Sequence, residues 1–208
     1  ETRELLVTAL FIDLRDSTRL AAGRLPFDAL YIVDRYVQRV SDAIEANGGV
    51  VTTVAGDGVM SIFGAESDPP AGARDALKAI GAIWDAMDSL SREFAGELDQ
   101  RLAFGAGVHT AMAAVTRTNV LGKSTVQFLG DAGNIAARLE AATKVLNCVC
   151  VVSEAVFKVA RAAIPNALSR EELNVRGIEE RKLPVFLARN REDADFGDAR
   201  IEAPTTFL

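Results

Sequence analysis

From Leu5 to Ile12 the chain is apolar apart from Thr8, and the run stops at Asp13. A segment this short, without polar alternation, does not suit a sheet that has one face in water. It reads as a central strand covered on both faces, which demands a mixed α and β architecture. Asp13 is then left at the end of a covered strand. A carboxylate there is costly unless a cation, a hydrogen-bond cluster or water compensates it.

The rest of the sequence supplies the covering layers. Pro26 sits where a helix starts, and Leu30, Val33, Val37, Val40 and Ile44 follow at three- and four-residue intervals until Asn47-Gly48-Gly49 stops the pattern. Two strand-like runs, Val50 to Ala55 and Val59 to Phe63, flank Gly56-Asp57-Gly58, a tight hairpin turn by composition that puts Asp57 at its tip. Asp68-Pro69-Pro70 opens a second helix with the apolar stripe Leu77, Ile80, Trp84, Met87 and Phe94. Strands around Leu102 to His109 and Val126 to Leu129 precede a helix from Gly130-Asp131 to about Lys144. A strand, a short helix and a final strand pair follow. This order predicts an α+β fold, a ferredoxin-like βαββαβ sheet with helices on one face. With 208 residues, 49% of them hydrophobic, we expect one domain over residues 1–190 and a C-terminal tail over 191–208.

A net charge of −6 argues against a protein that grips nucleic acid or an anionic membrane through a basic surface, so any phosphate contact must be local. No apolar stretch approaches membrane-spanning length and no secretory signal opens the chain, so the expected location is the cytoplasm. The sequence begins at Glu1 without methionine, which leaves room for a regulatory domain upstream. Cys148 and Cys150 alternate in a β-branched stretch and read as a reduced pair sharing one face of a buried strand, far in sequence from the one histidine, His109.

If the first strand lies beside the hairpin, Asp13 and Asp57 converge and could hold divalent metals roughly 3.5–4 Å apart, an arrangement suited to in-line phosphoryl displacement. Taken singly, each aspartate reads better as a turn cap. The surrounding residues are more specific. Phe11-Ile12-Asp13-Leu14-Arg15-Asp16-Ser17-Thr18 resembles the first metal motif of class III adenylyl and guanylyl cyclases, Gly56-Asp57-Gly58-Val59-Met60 resembles the second, and Asn134 and Arg138 stand four apart as in the third. The resemblance runs from about Leu5 to Leu187 and includes Val175-Arg176-Gly177 and Lys182-Leu183-Pro184-Val185-Phe186.

The resemblance implies a cyclase that turns a nucleoside triphosphate, ATP by family frequency, into a 3′,5′-cyclic monophosphate and pyrophosphate with two divalent metal ions, Mg²⁺ or Mn²⁺. By the same carry-over Asp13, Asp57 and the Leu14 carbonyl bind metal, while the loop from Leu14 through Ser17 and Thr18, together with Lys182, meets the triphosphate. Thr53 and Gln127 read the base, Asn134 orients the ribose and Arg138 stabilises transition-state charge. Family members are head-to-tail dimers, so a homodimer is implied, with Asp13 and Asp57 from one chain meeting Thr53, Gln127, Asn134, Arg138 and Lys182 of the other. His109 matches a sheet histidine outside the site.

Several positions depart from the pattern. Thr53 and Gln127 replace a lysine and an aspartate, and because both can donate or accept they leave GTP and pyrimidine triphosphates open. Ala111 and Gly133 replace a glycine and a β-branched residue. Arg15-Asp16 charges a loop that often carries glycine, and Asp16 would repel phosphate unless it turns outward. These departures support an alternative, a catalytically silent cyclase-like module that dimerises or binds nucleotide. A third candidate, a diguanylate cyclase on a related sheet, lacks its Gly-Gly-Asp/Glu-Glu-Phe signature.

Overall fold

The computed structural model describes residues 2–120, 122–175 and 182–196. Arg176-Gly177 of the closing signature lies outside them. The chain order is β1 (Thr2–Leu14), α1 (Ser17–Ala21), α2 (Pro26–Ala46), β2 (Val50–Ala55), β3 (Gly58–Phe63), α3 (Pro69–Glu93), β4 (Phe104–Val120), β5 (Lys123–Gly130), α4 (Asp131–Val145), β6 (Cys150–Ser153), α5 (Glu154–Ala160), β7 (Ser169–Asn174) and β8 (Lys182–Ala188).

These strands form one sheet in the order β2-β3-β1-β4-β6-β8-β7, with β5 paired to the far half of β4. The expected centrality of the first strand holds: β1 is hydrogen-bonded antiparallel to β3 on one side and to β4 on the other. Its pleat divides the core. Leu10, Ile12 and Leu14 pack with α2, α3 and α5, whereas Val7 and Ala9 pack with Ala132 and Ala136 of α4.

The ferredoxin-like α+β class stands, and the placement of all helices on one face needs one correction. Helices α2, α3 and α5 share a face, but α4 lies against the other. Glycine makes this possible. A Cβ on Gly107 of β4 would fall 2.0 Å from the Ala136 carbonyl oxygen, so the helix backbone rests directly on the strand. Periodicity locates a helix's apolar stripe but does not say which face of the sheet receives it.

Smaller corrections follow from packing. On α2 the buried stripe is Ala29, Ile32, Tyr36, Val40 and Ile44, while Leu30 is 65% exposed. Strand β4 runs well past the expected end at His109, because its far half pairs with β5 instead of β6. Cys148 and Cys150 are both buried and free, yet they do not share a face: Cys148 precedes β6 and packs with α4 and β8, and Cys150 packs with the three-helix layer. The first residues of the expected tail make contacts with the domain. Arg191 pairs with Asp85 of α3 at 2.8 Å, and Phe196 is buried edge-on to Phe157 of α5. Among the described residues no helix is long and apolar enough to cross a membrane.

Gly107→Ala should therefore be among the most damaging small substitutions, lowering unfolding free energy by about 2–3 kcal/mol through overpacking, read as a shifted urea midpoint. Alanine at Gly96, where a Cβ would meet nothing within 4 Å, should leave the midpoint nearly unchanged.

Candidate active site

The two aspartate motifs meet because of strand register. Pairing of Ile12 with Val59 puts the end of β1 beside the β2–β3 turn, and Ala55 paired with Gly58 leaves only Gly56 and Asp57 in that turn. Gly56 has φ 61°, a left-handed value at the first turn position that glycine adopts without steric cost. Asp13, opposite the side-chain-free Gly105 of β4, and Asp57 are thereby brought together.

They repel. Burial, a hydrogen bond shared with Asp57 and the Asp57 charge, joined by that of Glu140, push the Asp13 carboxyl up to about 6 against a donating Leu14 backbone N–H. Its Oδ1 is buried without a hydrogen-bond partner. Two carboxylates pressed together around an unsatisfied oxygen are chemically suited to a hard divalent cation. Among the described residues no group of three or more His, Cys, Asp or Glu side chains could hold a metal, so Asp13, Asp57 and the Leu14 carbonyl would need phosphate or water oxygens to complete a shell.

Two neighbours escaped the sequence reading. Glu140 is 4% exposed on α4, where burial raises its carboxyl, Lys144 and Arg15 lower it and Asp57 raises it again. Tyr36 is fully buried on α2, its hydroxyl unpartnered, and burial together with the charges of Asp13, Asp57 and Glu140 pushes its phenol well up. Tyr36 lies outside the stripe read from the sequence, and Glu140 follows the Asn-Arg pair by two residues; neither carried a sequence signal of nearness to Asp13.

The loop after Asp13 accommodates its two charges. Asp16 is exposed at φ 53° and its carbonyl accepts from the Arg19 and Leu20 N–H groups, starting α1 with Ser17 and Thr18. Arg15 turns away from the loop and donates to Thr143 Oγ1 and the Cys148 carbonyl, each at 2.7 Å.

Asn134 and Arg138 are exposed on one side of α4. Asn134 shares a cavity of about 260 Å³ with Thr53, Phe11, Met60 and Phe128. Thr53 follows a bulge in β2, a device that re-aims side chains. Gln127 is exposed one residue away and does not line that cavity; Phe128 does. The unusual Gly133 has a cause here, since a Cβ on it would lie 2.7 Å from the Phe128 ring. Lys182 is exposed at the start of β8, paired with Asn174 at the opposite end of the sheet from the hairpin. His109, expected to be structural, is buried with Nδ1 2.8 Å from Ser153 Oγ, and burial pulls it down to about 4 against the opposing charge of Asp131, so it is neutral at neutral pH.

The profile of the adenylate and guanylate cyclase catalytic domain matches residues 2–189. The chain belongs to this family. Curated relatives include an adenylate cyclase from Anabaena cylindrica, 26% identical over 73% of the chain and 30% of its own length. A uridylate cyclase from Xanthomonas perforans is 29% identical over 73% of the chain and 64% of its own length. The chain thus spans under a third of that adenylate cyclase. Among solved structures, the adenylyl cyclase CyaB from P. aeruginosa superposes with TM-score 0.74 at 21% identity, covering 93% of this chain and 98% of that one. The guanylyl cyclase Cya2 gives 0.74 at 20%, covering 91% and 93%. These likenesses establish the fold of a class III nucleotidyl cyclase catalytic domain.

The raised Asp13 carboxyl has a consequence for stability. A group whose folded value lies near 6 rather than 3.8 favours the metal-free fold at low pH and loses that contribution as pH rises through this window. Metal-free Asp13→Asn should accordingly melt above the unsubstituted domain at neutral pH, with the difference vanishing by about pH 4. Mn²⁺ should raise the melting temperature of the unsubstituted domain only.

Proposed function

We propose that this cyclase domain converts ATP into 3′,5′-cyclic AMP and pyrophosphate at the interface of a homodimer. The observation that carries the reading is the convergence of Asp13 and Asp57 around an unpartnered buried oxygen. Two divalent cations bound there would supply positive charge to the attacking hydroxyl and to the phosphates. The chain's own residues do the rest. Asp13, Asp57 and the Leu14 carbonyl hold the acidic end, and N–H groups from Leu14 to Thr18 orient the triphosphate. The 3′-oxygen attacks the α-phosphorus in line, losing its proton, while the bond to the bridging oxygen breaks and pyrophosphate leaves.

Asn134 and Arg138 face outward on α4, where a partner's acidic pair could meet them. Val54, Met112 and Leu129, 48–81% exposed on β2, β4 and β5, supply apolar surface for the same contact. In the assembled site Asn134 would orient the ribose, Arg138 would neutralise charge building on the phosphoryl group, and Lys182 would reach the triphosphate.

A pyrimidine triphosphate is the second reading. Besides the Xanthomonas relative, a uridylate cyclase from Burkholderia cepacia is 29% identical over 64% of the chain. The base cavity beside Thr53 is also narrowed by Phe128 and Met60.

Incubation with ATP, GTP, CTP and UTP plus Mg²⁺ or Mn²⁺, with cyclic products resolved by mass, decides among these. We expect cyclic AMP, abolished in Asp57→Ala and reduced about 10²–10³-fold in kcat in Arg138→Ala. A dominant cyclic UMP would transfer the assignment to the pyrimidine reading, and no product from the assembled dimer would leave a silent module. Phe128→Ala should change KM for the nucleotide more than kcat, because it enlarges the base cavity without touching the phosphates.

A further inference from the structure

Helix α4 has two working sides. Outward it carries Asn134 and Arg138; inward, Glu140 and Thr143 press on β4 at Gly105, where a Cβ would fall 2.5 Å from Glu140 Oε1 and 2.9 Å from Thr143 Oγ1. Gly105 is the register partner of Asp13. The inner side therefore abuts the chain's own acidic pair, while the outer side faces away from it.

Arg15 fastens the two together. Its backbone N–H donates to the Ala103 carbonyl at 2.7 Å, its Nη2 to Thr143 Oγ1 and the Cys148 carbonyl at 2.7 Å each, and its Nε to the Phe104 carbonyl at 3.4 Å. Thr143 in turn donates to the Glu140 carbonyl. A guanidinium offers several donors in a fixed plane, so the bonds restrain both the loop and the end of α4. Only Asp16 and Ser17 separate Arg15 from Thr18, the far end of the Leu14–Thr18 loop.

We propose that Arg15 is a positioning residue that ties the phosphate-binding loop of one active site to the helix carrying Asn134 and Arg138 of the other, so that each protomer links the two sites of the dimer. This rests on the composite homodimeric site described above. In that arrangement a protomer gives its loop and acidic pair to one site and its α4 outer side to the second. Arg15 bridges those two contributions through its side chain.

A mixed dimer separates this role from simple support of the loop. One protomer carries Asp57→Ala and its partner carries Arg138→Ala, so a composite arrangement leaves a single intact site, made from the partner's acidic pair and the first protomer's Asn134 and Arg138. Arg15→Gln is then added to the first protomer. There it borders only the disabled site, and it can affect the live one solely through α4.

We expect kcat to fall about tenfold, since a displacement well under 1 Å of a transition-state contact has effects of that order, with KM for the nucleotide nearly unchanged. Thr143→Val in the same protomer should reproduce the loss, and it provides the test if Arg15→Gln impairs assembly, checked by sedimentation and melting temperature. An unchanged kcat in both variants would overturn the proposal. A parent mixed dimer that is inactive while the unsubstituted dimer cyclises would overturn the composite site itself, and the proposal with it.

Discussion

Everything in the catalytic region depends on two like charges being held where they would not choose to be. The β1–β3 register and a two-residue turn bring Asp57 to Asp13, and the fold gains nothing from the encounter without a cation. The covered sheet interior that makes β1 a stable central strand is also what withholds water from Asp13 Oδ1. Core formation and the demand for a counter-charge thus come from the same ladder of hydrogen bonds.

Much of this could be read in the sequence because it rests on local rules. The unbroken apolar run announced a central strand, glycine around Asp57 announced the hairpin, and prolines marked the starts of α2 and α3, where Asp68 does accept from the Ala71 N–H. What stayed hidden depends on third dimensions that periodicity lacks. The face chosen by α4 follows from missing Cβ atoms on β4, and the nearness of Tyr36 and Glu140 to Asp13 arises from helices on opposite sides of the sheet. Residues 191–196 looked featureless because anchors such as Arg191 and Phe196 are separate contacts and not a repeat.

Two of the departures from the family pattern have a physical counterpart in the fold. Gly133 on the helix makes room for the Phe128 ring of β5, and both line a single cavity. The charged Arg15-Asp16 step is likewise resolved by sending its two members in different directions, the guanidinium into the end of α4 and the aspartate to the surface.

The β1–β4 ladder is continuous from Thr2 opposite Thr116 to Leu14 opposite Phe104, and Thr116 is in turn opposite Gln127 of β5. Thr2, Thr116 and Gln127 therefore lie abreast on three neighbouring strands. A pull along the chain at Thr2 loads this ladder in shear, with its bonds sharing the force together, unlike a hairpin peeled open one pair at a time. Displacement applied at the start of β1 would be carried toward β5 and Asp13 along these strand hydrogen bonds, without having to pass through the helical core.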